Sequence, residues 1–306
     1  MDNGTTAIFA TGENWKSRGI GLFHFLCFIV LLVALAIGVS LAVYFAIHGH
    51  LPPMPGHGHA PTAHAPRSLG ELLRPELIQC VAALAATLIM ALATGQRFTK
   101  FGYGGSNRLR NFLIGIVAGI ALLAILLGGL QALGVAALGN PVIVPSSLAY
   151  YAVLYGALFV AVAVFEETAM RGYALVELSR AFSFWPAAIV LAALFGAAHL
   201  NNGVSEGVVG ATAAGLFGLV LAYSFKATGS LWLALGIHAG WDYGESYIFG
   251  VPDSGMPALP GSLFHPAFHG PEWLTGGTIG PEGSVLVLIP LLLIPALSWM
   301  LRRRAT

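Results

Sequence analysis

The stretch VFEETAMRGY, Val164 to Tyr173, puts two adjacent glutamates and an arginine at the end of a run with no Asp, Glu, Lys or Arg from Asn111 to Phe165. So long an uncharged run is foreign to a water-soluble domain, and a carboxylate at its end carries a desolvation cost that needs a reason. The rest of the chain has the same character. Only 9% of its 306 residues are charged, against about 25% in a soluble domain. Apolar residues make up 57%, and mean hydropathy is +0.80. This excludes a soluble single-core protein and predicts an all-α polytopic membrane protein, with the lipid bilayer as its first partner. A net charge of +1 provides no broad basic face, so no nucleic acid partner is expected. Cys27 and Cys80 sit inside apolar runs and read as reduced packing residues, with no disulfide framework. Oligomeric state is not legible.

A helix crossing about 30 Å of hydrocarbon takes about 20 apolar residues. Eight stretches qualify or come close, at about 20–47, 77–95, 111–137, 148–180, 186–200, 207–225, 230–249 and 283–301. The first is longer than a signal-peptide core of about 7–15 residues and reads as an uncleaved span. Basic residues then set orientation. Lys16, Arg18, Arg97, Lys100, Arg108, Arg110, Arg171, Arg180, Lys226 and Arg302 to Arg304 all fall on one side of an eight-span arrangement. The opposite loops carry Arg67 and Arg74 and then none. The expectation is a multi-pass cell-membrane protein with both termini inside. His57, His59 and His64, in the Pro- and Gly-rich loop before the second span, read as exposed loop residues, because no Cys, Asp or Glu accompanies them as a metal ligand.

Ionisable side chains within spans are functional candidates by default. Span four has Glu166, Glu167 and Arg171; span five has His199, four residues after Phe195; span seven has His238 and, four residues on, Asp242. Residues four apart share a helix face, so Glu167 can pair with Arg171, His238 with Asp242, and the Phe195 ring can hold the His199 imidazole. Glu166, turned about 100° from Glu167, points elsewhere and is free to face a cavity. A buried polar site between helices 4, 5 and 7 is the expected result. A carboxylate and an imidazole in a dry cavity can bind and deprotonate a water, while a second histidine with its partner can donate to a developing oxyanion. That chemistry is peptide hydrolysis without a covalent intermediate. Glu166, His199 and His238 are also ligand types that Zn²⁺ accepts, although no H-E-x-x-H pattern is present.

In this order, E-E-x-x-x-R, F-x-x-x-H and H-x-x-x-D resemble the motifs of the CAAX prenyl endopeptidase and bacteriocin-processing (CPBP, or Abi) family of intramembrane proteases. The likeness covers about residues 150–245. It implies that Glu166 is the general base, acting with His199, that His238 and Asp242 form the oxyanion side, and that Glu167, Arg171 and Phe195 support them. It favours no cofactor, with zinc as the alternative. In the prenyl endopeptidases the last position is typically Asn, where this chain has Asp242. The expected organisation is 1–145 as the first three helices, 146–249 as a catalytic core, and 250–306 as an outside loop and last helix. A peptide or membrane-protein substrate follows. The alternative is a non-proteolytic immunity or assembly factor on the same scaffold.

Overall fold

The computed structural model describes residues 8–52, 68–200, 207–254 and 258–302. The loop histidines 57, 59 and 64, Arg67, and the terminal Arg303 and Arg304 lie outside these. The described chain is mostly helical. In order come α1 (Trp15–His48), α2 (Leu69–Ala93), α3 (Arg108–Ala132), α4 (Pro145–Glu167), α5 (Tyr173–Phe182), α6 (Phe184–His199), α7 (Gly207–Thr228), α8 (Trp232–Tyr243) and α9 (Leu288–Met300). A π-helical turn, Thr168–Gly172, joins α4 to α5 into one 38-residue path, and a second, Gly244–Phe249, extends α8.

Five of these paths are long and apolar enough to cross a membrane: α1, α2, α3, α4 with α5, and α7. The fifth, seventh and eighth expected spans appear as the shorter α6, α8 and α9. All residues from Leu233 to Asp242 in α8 are buried, so this helix is surrounded by protein rather than lipid. By contrast, α1 buries only Gly21 and Phe28, and apolar side chains such as Phe23, Val30 and Ile37 stand exposed along it. An outward apolar surface is what lipid requires.

Boundaries moved where polar residues masked a helix. The second expected span begins at 77, yet α2 starts at Leu69. Ser68 and Glu71 form a capping box, each side chain bonded to the other's backbone N–H, and this starts the helix through a polar first turn. The third expected span runs to 137, whereas α3 stops at Ala132. Ala136–Ala137 instead pairs antiparallel with Ala267–Phe268.

That ladder belongs to a folded cap built from the loop after α8. Val142 N–H donates to the Leu263 carbonyl at 2.7 Å and His269 N–H to that of Val135 at 2.8 Å. The closest helix packing is between α3 and α8, where Gly115 and Gly119 face Gly236 and Gly240. A Cβ on Gly236 would lie 2.1 Å from the Phe112 carbonyl oxygen, and one on Gly119 2.3 Å from that of Ile237. Small residues four apart let two backbones touch, which is how helices associate where lipid removes any hydrophobic drive. This contact fixes α8, and with it the third motif.

Candidate active site

The site forms where α4, the turn after it, α7 and α8 meet. Thr168 opens the π turn with its hydroxyl bonded to the Val164 carbonyl and against the Tyr103 hydroxyl. π turns insert a residue into a helix and recur at functional sites. Here the turn carries Arg171 back over Glu167, and the Arg171 Nη1–H donates to Glu167 Oε1 at 3.1 Å. Both side chains are almost wholly buried, at 3% and 0% exposure. Arg171 Nε–H also donates to the Gly218 carbonyl at 3.3 Å, and the guanidinium lies over the Phe195 ring at 4.2 Å. It fits because residue 218 has no side chain: a Cβ there would stand 2.0 Å from Arg171 Nη2.

The same Glu167 oxygen takes His238. Nδ1 lies 2.9 Å from Glu167 Oε1. A carboxylate accepts only, so Nδ1 carries the hydrogen and Nε2 is turned to the rest of the site. Nε2 lies 3.5 Å from Glu166 Oε2 and 3.5 Å from Asp242 Oδ2, beyond normal hydrogen-bond length. The Phe217 ring meets the imidazole edge-on, with centroids 5.5 Å apart. Glu166 keeps 21% of its side chain exposed, against none for Glu167. One glutamate is therefore locked by an arginine and a histidine, while its neighbour is open.

His199 stands to one side. It is buried, and its Nδ1 lies 2.8 Å from the Phe195 carbonyl, its sole hydrogen-bond partner among the described residues. A carbonyl cannot donate, so the hydrogen is on Nδ1 and a neutral ring leaves Nε2 with its lone pair. The link to the carboxylates is the Phe195 ring, which lies 4.4 Å from the imidazole and also under Arg171. Glu166, His199 and His238 are not gathered as a ligand set. Among the described residues, the ligand-type side chains with oxygens or nitrogens within 4.8 Å of one another are Asp242, Glu245 and Asp253.

Sequence reasoning passed over several of these neighbours. Glu245 lies three residues after Asp242 inside the expected span, so the rule that singled out Asp242 would have found it too. Asp253 and Glu282 come from the loop after α8, where acids are ordinarily solvated and nothing marks burial. Here burial, and then the charge of Glu282, push the Asp253 carboxyl up to about 7. Phe217 and Gly218 carry no polar signal within a span, and Tyr103 lies in the connection between the second and third.

Residues 148–244 match the model of a family described as Type II CAAX prenyl endopeptidase Rce1-like. The matched segment contains Glu166, Glu167, Arg171, Phe195, His199, His238 and Asp242 and stops just before Glu245. No curated protein and no solved structure matches the chain.

Proposed function

We infer, from a match that supports placing this chain in the CPBP/CAAX protease family, that it is an intramembrane endopeptidase that hydrolyses a peptide bond with an activated water. The observation that carries the reading is the unequal treatment of two adjacent glutamates. Glu167 is spent on holding Arg171 and His238 in place, while Glu166 is left partly open beside His238.

Glu166 is the group that takes the proton from water; the role of second acceptor for that water, which the motifs give His199, rests on its free Nε2 lone pair and not on a contact with Glu166. After attack, the carbonyl oxygen becomes a tetrahedral oxyanion. His238, as the imidazolium with its Nδ1–H held by Glu167, donates its Nε2–H to it, with Asp242 completing that side. The proton held by Glu166 then passes to the departing amine nitrogen as the C–N bond breaks. Asp242 stabilises this site as an acid paired with His238, since a bare carboxylate would repel the oxyanion.

The architecture proposed is eight membrane passes, both termini inside, with 146–249 as the catalytic core, the first three helices before it, and the loop and last helix after it. The short α6, α8 and α9 are enclosed or flanked by the longer helices. A substrate is a peptide or membrane-protein segment; the family description names CAAX prenyl substrates. The test is comparison of membrane-derived peptides from cells carrying wild type and Glu166→Ala. Cleavage products that vanish with Glu166→Ala support the reading. Identical peptide sets would favour the non-proteolytic immunity or assembly role instead.

A further inference from the structure

Glu245 has no part in that reaction, and its position is costly. It lies one turn beyond Asp242 in the second π turn and is wholly buried. Neither of its carboxyl oxygens has a hydrogen-bond partner among the described residues. The acids around it are provided for. Asp242 faces His238 at 3.5 Å, and Asp253 accepts from the Ser246 hydroxyl at 3.1 Å. Glu282 accepts from the Trp241 indole N–H at 2.8 Å and the Ser254 N–H at 3.2 Å.

The chain is built to bring these acids together. Gly250, with φ of 61°, ends the π turn in a left-handed conformation, and its N–H and that of Val251 both donate to the Glu245 carbonyl. The turn folds Asp253 back over Glu245. Asp242, Glu245 and Asp253 each then bring one oxygen within 4.8 Å of the others. No lysine or arginine pairs with any of the three among the described residues. Burying the unpartnered Glu245 carboxyl is costly, and two further acids beside it make it worse.

An oxygen-only donor set selects a hard cation. Ca²⁺ takes carboxylate oxygens at about 2.3–2.6 Å, so ligands on opposite sides of it lie about 4.6–5.2 Å apart, which the observed spread accommodates. We propose that Asp242, Glu245 and Asp253 bind a hard divalent cation, Ca²⁺ foremost. The ion pins the folded outside loop to the helix that carries Asp242. It also draws charge from Asp242, so the loop and the reaction site share one residue.

The test uses the full-length protein in detergent, stripped with EDTA. CaCl₂ is titrated by calorimetry, and Tb³⁺ luminescence is excited through tryptophan, for which Trp241 is well placed. The expected result is one saturable site, Tb³⁺ displaced by Ca²⁺, and a Tm that rises with CaCl₂. Glu245→Gln and Asp253→Asn should each weaken binding at least about tenfold and abolish the Tm rise. If Glu245→Gln does not fold, Asp253→Asn, on the loop side, carries the test. Absence of saturable binding to the wild type would overturn the proposal, as would unchanged binding in the folded variants; the acids would then be held by shared protons. These readouts need no substrate, so their failure is separate from failure of the protease reading.

Discussion

At the scale of single residues, Glu166 and Glu167 differ in role. Replacing Glu166 removes the base, so Glu166→Gln should lower cleavage by about 10²–10⁴-fold, the usual contribution of a general base, with the melting temperature little changed. Replacing Glu167 strands a buried arginine. Glu167→Gln should therefore destabilise the protein by about 3–5 kcal/mol, measured by thermal unfolding in detergent. Asp242→Asn keeps a neutral hydrogen-bonding group beside His238, so it should retain part of the activity while weakening Ca²⁺ binding; its complete inactivation would assign the carboxylate a further role. The Glu166, Glu167 and Arg171 pattern was legible because a charge in an apolar run is rare, and four-residue spacing defines a face. What the Thr168–Gly172 turn does to that face was not legible. Its support comes from Val164 and Tyr103, and Tyr103 is far away in the chain.

At the scale of elements, two glycine contacts are decisive. Cβ atoms at Gly119 or Gly236 would strike backbone carbonyls, which do not move aside. Gly236→Val should cost at least about 1–3 kcal/mol through overpacking between α3 and α8. Gly128→Val, on the same α3 but with open space around its Cβ position, serves as the control and should leave unfolding unchanged. Gly218→Ala tests the site rather than the fold. Its Cβ claims the place of Arg171 Nη2, so activity should fall while the protein stays folded, read by cleavage together with thermal unfolding. Hydropathy located every major helix but misplaced ends. The start of α2 is polar and set by a capping box, and α8 is enclosed, so its length is fixed by packing rather than by bilayer thickness.

At the scale of the whole molecule, the loop after α8 is the main departure from the sequence. Its Pro- and Gly-rich composition suggested a polar connection, yet it pairs strands with the segment after α3 and buries Asp253 next to Asp242 and Glu245. Such long-range pairing leaves no local periodicity to read. The charge bias predicts that cysteines at Lys100 and Arg302 react with an impermeant reagent from the same, inner side; labelling from opposite sides would reject the eight-pass arrangement. The path from Pro145 to Phe182 has 38 residues, about 57 Å at 1.5 Å per residue, so its end should project inside, beyond the bilayer. The proposed role of Glu166 in hydrolysis within the membrane is tested by quantitative proteomics of membrane-derived peptides from cells expressing wild type, Glu166→Gln and Gly128→Val at matched levels. If Glu166 is the base, a set of cleavage products is shared by wild type and Gly128→Val and lost with Glu166→Gln. Products that persist at wild-type abundance in folded Glu166→Gln would contradict it.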